Sequence, residues 1–267
     1  MRTAARILGY EIRNLIRSRW VLAYALIFLA LTDALFRFGG TSDRVIMSLT
    51  NVVLLLIPLV SVVLGTMHLY HAREFIELLL AQPVGRTALF AGLYSGLAAP
   101  LAAGFLIGAG LPSLWGGAAD GSLAGPLAGP LAMLLAAGVL LTLVFTALAF
   151  LVSLLFEDRA KGLGSAILVW LAATALYDAL LVLVATTFSD YPLELPLIGL
   201  TLLNPVDLGR VLLLLRFDTA ALMGYTGAVF EHFFGSRLGV GLALAALGLW
   251  CAAPLLLASR RFRRKDF

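Results

Sequence analysis

The sequence predicts an all-α integral membrane protein with six transmembrane helices, and three observations carry that fold class. Mean hydropathy is +1.01, 61% of the 267 residues are hydrophobic and only 13% are charged. A soluble chain of this size cannot cover so much apolar area with polar groups, whereas a bilayer accepts it. Six apolar stretches approach the roughly 20 residues needed to cross the hydrocarbon core. Finally, 14 of the 19 Lys and Arg residues fall on one side of a six-span threading.

The elements follow in chain order. In residues Met1 to Arg19, Ile7, Leu8, Ile12, Leu15 and Ile16 recur at helical spacing with Arg2, Arg6, Arg13 and Arg17 between them. That is an amphipathic helix with a basic face, suited to the membrane interface. The run after it lacks a small-residue cleavage site and ends in Leu35-Phe36-Arg37, which argues against a secretory signal peptide. The spans are Trp20 to Phe36, Val52 to Tyr70, Leu89 to Leu111, Leu131 to Phe156, Leu163 to Thr186 and Leu238 to Ala258. A Gly/Pro-rich loop, Pro112 to Pro130, separates the third and fourth, and a charged turn, Glu157 to Lys161, joins the fourth and fifth.

Six spans put Arg73, Arg86, Arg159, Lys161, the N-terminal arginines and the cluster Arg260 to Lys265 on one side. Arg37, Arg44, Arg210, Arg216 and Arg237 fall on the other. The positive-inside rule makes the first side cytoplasmic, with both termini there. The net charge of +4 therefore reflects membrane topology, and no nucleic-acid partner is expected. Membrane lipid is the first partner. Cys251 stands alone in an apolar run, so it forms no intramolecular disulfide and reads as a small packing residue.

Candidate chemistry is sparse. No G-x-x-x-x-G-K-[ST] is present, so the chain has no phosphate cradle for ATP and no enzymatic activity is expected of it. His68 and His71 share a helix face beside Met67. A metal site and polar closure of the helix both fit that spacing, and no carboxylate but Glu74 lies near. Asp33 and Asp178 fall in or near apolar runs, where an acid at mid-span costs about 2.5–3.5 kcal/mol and so faces protein or water. Asp33 fits the outer interface. Asp178 fits inter-helix packing or a transport pathway. Gly162-Leu163-Gly164-Ser165 has G-x-S-like spacing, but no His in a later span could activate the serine.

Two non-spanning segments stand out. His71 to Arg86, HAREFIELLLAQPVGR, sets Arg73, Glu74 and Glu77 against Phe75, Ile76 and Leu78 to Leu80, and Gln82-Pro83 ends the helix. This is a short amphipathic helix that presents a face to a partner or makes a bend between spans. Residues 188–237 are longer than a simple loop. Asn204 as N-cap, Pro205 in the first turn and Asp207 near the N-terminus predict a short helix from Pro205 to about Leu215. It is too short to span, so it lies at the outer face or dips into the membrane. A second short helix is expected at Ala220 to Phe234. An outer gate, a docking surface and a packed cap all fit.

Glu77-Leu78-Leu79-Leu80-Ala81-Gln82-Pro83-Val84-Gly85-Arg86 resembles the first cytoplasmic loop of ABC-2 type permeases. Similarity extends to the N-terminal elbow helix, to Phe156 to Gly164 and to the closing Arg263-Arg264-Lys265-Asp266-Phe267. Leu203-Asn204-Pro205-Val206-Asp207-Leu208-Gly209-Arg210 looks like the outer segment of the branch associated with maturation of multicopper enzymes, nitrous oxide reductase among them. Phe75-Ile76 replaces the family's Gly-Thr, and Gly92-Leu93 its Gly-Lys.

The resemblance implies one permease domain over residues 1–267, with 1–19 as elbow, 71–86 as coupling helix and 188–237 as extracytoplasmic segment. It implies a homodimer in the bacterial inner membrane, paired with two ABC ATPase subunits that bind the ATP and Mg. Arg73, Glu74, Phe75, Glu77, Leu78, Gln82, Pro83 and Arg86 are then the ATPase-coupling residues. Asn204, Pro205, Asp207 and Arg210 would meet a periplasmic accessory protein or form a gate, with Asp178 a pathway position. Within transport the alternative is an ABC-2 exporter of a lipid, drug or peptide. Outside it, the alternative is a channel or scaffold that needs no ATPase. The sequence names no cargo.

Overall fold

The computed structural model describes residues 19–119, 128–188, 194–214 and 237–265, and no strand occurs among the described residues. The elbow segment before Arg19 and the helix expected at Ala220 to Phe234 lie outside them. In chain order the helices are α1 (Arg19–Phe38), α2 (Ser42–His71), α3 (Arg73–Leu80), α4 (Arg86–Ala119) and α5 (Ala128–Leu155). They continue with α6 (Arg159–Thr187), α7 (Glu194–Leu202), α8 (Pro205–Leu214) and α9 (Arg237–Arg264). Six of them, α1, α2, α4, α5, α6 and α9, are long and apolar enough to cross a membrane.

Two helix boundaries and one added helix stand out against the sequence expectation. α2 begins ten residues before Val52, because Val45, Ile46 and Leu49 continue its buried face. Thr50 does not interrupt it, since its hydroxyl donates to the Ile46 carbonyl at 2.8 Å. α4 runs through Pro112 to Ala119, so the loop expected from Pro112 starts later. Pro112 removes the amide that would bond the Gly108 carbonyl, a break that a membrane helix packed among others tolerates. Ser113 donates to the Ala109 carbonyl at 2.6 Å. The apolar residues before Asn204 form α7, a nine-residue helix too short for periodicity to distinguish it from other apolar segments.

α5 is the central helix. Leu141, Val144, Phe145 and Phe150 are fully buried on it, and α2, α4, α6, α8 and α9 all pack against it. α1 packs on α4, where Phe28 meets Phe105 edge-on at 5.2 Å. Gly108 makes that approach close: a Cβ there would lie 2.5 Å from the Ala25 carbonyl oxygen. α6 is peripheral, with 6% of its span buried against 61% for α4 and α5. It contains one π-helical turn, Ala172–Leu176, at mid-length.

The chain breaks between α5 and α6 at Phe156 to Asp158, and Asp158 restarts the helix as its N-cap. Its carboxylate accepts from the Ala160 and Lys161 amides at 2.7 and 3.1 Å. Hydrogen bonds from the backbone of Lys161 and Ala160 hold this carboxyl below its ordinary pKa.

Candidate functional site

The helix ends gather the basic residues at one end of the bundle and wire them together. Tyr70, near the end of α2, donates to the Phe156 carbonyl at 2.9 Å and the Asp158 carbonyl at 3.3 Å. Arg73 opens α3, donates to the same Phe156 carbonyl at 3.3 Å and sits 4.6 Å over the Tyr70 ring. Gly162 permits this junction, because a Cβ there would collide with the Tyr70 hydroxyl. Arg86, opening α4, donates to the Arg263 and Lys265 carbonyls at 2.8 Å each and so closes the end of α9.

On this base, α3 splits its two faces. Ile76 is fully buried, and Leu79, Leu80 and Val84 pack toward the core. Glu74, Glu77, Leu78, Gln82 and Pro83 are exposed, with Leu78 at 63%. The outward face thus sets one exposed leucine beside two carboxylates and an exposed Gln-Pro turn. The eight residues expected at the coupling site thus divide. Five form the outward face. Phe75 is half-buried, and Arg73 and Arg86 spend their guanidinium groups on carbonyls of this same chain.

His68 and His71 do not converge on a metal-like cluster. Arg159 donates to His71 Nε2 at 2.9 Å, which uses a ring nitrogen that a metal would need, and also approaches the Met67 sulfur at 3.5 Å. His68 turns inward toward the Phe150 ring, at 6.4 Å between centroids. Among the described residues no three His, Cys, Asp or Glu side chains come together.

At the opposite end, α7 and α8 form a helical hairpin whose tip reaches mid-depth. Its contacts fix the depth. Trp250, mid-way along α9, donates to the Leu202 carbonyl at 3.2 Å. Tyr177 of α6 donates to the Leu200 carbonyl at 2.6 Å. A Cβ on Gly209 would lie 3.3 Å from Leu54 and 3.4 Å from Leu141, both near the middles of their helices. The helix expected either on the outer face or partly within the membrane therefore re-enters.

The tip carries a polar network. Asn204 caps α8, its Oδ1 accepting from the Val206 amide at 3.1 Å. Its Nδ2 donates to Asp207 at 2.9 Å and to the Ala173 carbonyl at 2.7 Å. That carbonyl is available because of the π-turn: the Tyr177 amide bonds to Ala172 and skips its α-helical partner, Ala173. Arg210, one turn further along α8, makes a bidentate pair with Asp178 of α6 at 2.8 and 2.9 Å, and lies 3.2 Å from Asp207. Two carboxylates thus flank one guanidinium, and the Asn204 amide holds one of them, at a depth where each group alone is costly.

The network changes what the outer site residues face. Asn204 is 2% exposed, Asp207 3% and Pro205 is buried. They point into the protein and bind the hairpin to α6, and only Arg210 and Asp178 are part-exposed. Of the four residues expected to meet a partner or form a gate, Arg210 is the one left part-exposed. Asp33 is settled locally by Arg37 at 2.7 Å, with the Trp115 indole donating at 3.4 Å. Sequence reading missed Tyr70, Tyr177 and Trp250. Each is an aromatic with a polar tip in an apolar helix, a pattern that marks a carbonyl waiting elsewhere.

The comparisons with known proteins agree with this architecture. The model of the ABC-2 family transporter protein matches residues 5–267. The probable ABC transporter permease protein NosY of Pseudomonas aeruginosa is 30% identical, and the match covers 96% of each chain. A protein of the same name from Stutzerimonas stutzeri is 29% identical over the same shares. The chain belongs to the ABC-2 transporter family and is a multi-pass membrane permease.

Proposed function

We propose that this chain is the membrane half of an ATP-driven machine: two copies pair with two copies of a separate ATPase. ATP and Mg reside on that ATPase, since the permease has no nucleotide-binding motif. The machine sits in a bacterial inner membrane with the basic end, and both termini, in the cytoplasm. Its task is maturation of a copper enzyme, nitrous oxide reductase, in which force reaches a periplasmic accessory protein. The branch is supported by the Leu203 to Arg210 stretch and by the relatives named NosY.

The observation that carries the coupling is the outward face of α3 on a braced base. ATPase closure would push on Glu74, Glu77, Leu78, Gln82 and Pro83. Arg73 and Tyr70 hand that push to the start of α6 through Phe156 and Asp158, while Arg86 hands it to α9. α6 and α9 hydrogen-bond to the hairpin, at Ala173, Asp178 and Trp250, while α2 and α5 pack against it through Leu54 and Leu141. A rigid-body shift at the basic end therefore has a short mechanical route to the outer segment.

The test is Glu77→Lys. It leaves the braced residues untouched and should lower co-purification of the ATPase at least tenfold, with the isolated permease as stable as before. Unchanged assembly and ATP turnover would overturn the docking assignment. ATPase activity stimulated by a lipid, drug or peptide, with no periplasmic partner, would replace the maturation reading with an exporter.

A further inference from the structure

Between the inner ends of α5 and α9 lies an open cavity of about 820 Å³. Arg260, Arg261, Arg264 and Lys265 line one wall. Leucines of both helices form the other, and Leu155 and Leu257 stand exposed there at 44% and 52%. One acid, Glu157, also lines it, so the wall carries a net charge of about three positive units. Among the described residues, Arg260, Arg261 and Arg264 have no carboxylate within ion-pair distance.

These arginines do not sit on a loose tail. Phe262 between them is fully buried and packs on Phe90 at 5.4 Å. Arg86 holds the Arg263 and Lys265 carbonyls, and the Lys265 ammonium lies 3.5 Å from the Leu154 carbonyl. The last turn of α9 is thus fixed with three guanidinium groups directed outward above an apolar wall. The volume is in the range of sites that enclose a sizeable ligand.

We propose that this cavity is a binding site for an anionic phospholipid, cardiolipin or phosphatidylglycerol in class. The guanidinium groups would hold the phosphate in forked hydrogen bonds, and the acyl chains would lie on the leucine wall. A soluble phosphate meets the first requirement and not the second. The place is right for a lipid, at the basic end of the spans where headgroups lie. The assignment does not depend on which ATPase or cargo the permease serves.

The experiment is native mass spectrometry of the full chain in detergent, titrated separately with cardiolipin, phosphatidylglycerol and phosphatidylcholine. The wild type should retain an anionic lipid at least tenfold better than phosphatidylcholine. Arg260→Gln/Arg261→Gln/Arg264→Gln should lose roughly fivefold in affinity per arginine removed, while Arg19→Gln/Lys161→Gln should lose little. Leu257→Trp keeps every charge but fills the wall, so it also should bind lipid severalfold less; this variant serves if the triple one fails to fold. Equal retention of all three lipids, or of anionic lipid by the triple variant, would overturn the proposal. Displacement of lipid by millimolar inorganic phosphate would make the cavity a soluble-anion site instead. Loss of ATPase co-purification in the triple variant with lipid retained would make it a protein-docking surface.

Discussion

Replacing Arg210 with Gln removes the one cation among the described residues that bridges Asp178 and Asp207, and its cost follows from the geometry. The guanidinium makes two bonds to Asp178 at 2.8 and 2.9 Å and one contact to Asp207 at 3.2 Å. Removing one partner of a buried ion pair typically costs about 3–5 kcal/mol. Arg210 and Asp178 are 34% and 38% exposed, so screening reduces the expected loss to about 2–3 kcal/mol. Asp178→Asn should cost less, about 1–2 kcal/mol, because Arg210 keeps Asp207. The double variant should cost less than the sum, by about 1–2 kcal/mol of coupling. Unfolding in mixed dodecyl-sulfate micelles reads this out, with tryptophan fluorescence as the signal. Trp250 reports the hairpin directly through its bond to Leu202, and a Trp250→Phe control isolates it from the other three tryptophans. Additive single costs, or an Arg210→Gln loss under about 0.5 kcal/mol, would mean that the network does not bind the hairpin to α6.

Three further outcomes test neighbouring parts of the account. Gly162→Ala should destabilise by about 1–3 kcal/mol, since the new methyl displaces the Tyr70 hydroxyl from its two carbonyls, whereas Gly164→Ala, with open space around it, should be neutral or mildly stabilising by thermal unfolding in detergent. Asn204→Ala should cost about 1–3 kcal/mol by leaving the Ala173 carbonyl unpaired, and Asn204→Asp should not rescue it, because a carboxylate caps the helix but cannot donate to that carbonyl. The Asp158 cap should hold at neutral pH and fail in acid: its depressed pKa means the stabilisation is complete above the ordinary carboxylate value and is lost as pH falls through the lower, folded-state value. Hydrogen exchange of the Ala160 and Lys161 amides, corrected for intrinsic rates, should show that loss in the wild type and not in Asp158→Asn.

The parts of this structure legible in the sequence are those set by local chemistry. Apolar runs of spanning length gave all six membrane helices, because hydrocarbon imposes one length on every one of them. α3 was legible from its split polarity and Gln82-Pro83 stop, and α8 from the Asn204 cap. The helix ends at Ser42 and Ala119 were not, because polar residues before Val52 and the proline at 112 weaken the local apolar signal, while the burial of Val45, Ile46 and Leu49 exists only in three dimensions. The depth of the hairpin was out of reach for the same reason. Asp178 and Arg210 are 32 residues apart, and the π-turn that frees Ala173 has no composition of its own. Burial also sorted the candidate sites in a way spacing could not. Arg73 and Arg86 read as docking residues by their place in the motif, yet both are engaged within the chain.

The central claim is that the α3 face and the hairpin move as one device, and labelling kinetics at the hairpin test it most directly. Pro196, exposed near the start of α7 at the outer end of the hairpin, is replaced by Cys in a Cys251→Ser background and assembled with the ATPase in lipid nanodiscs. Its rate of modification by a membrane-impermeant maleimide is then followed with and without ATP. The account predicts a severalfold change of rate on ATP addition, abolished by Arg210→Gln and by Glu77→Lys. An ATP-independent rate in a complex that hydrolyses ATP normally would contradict it.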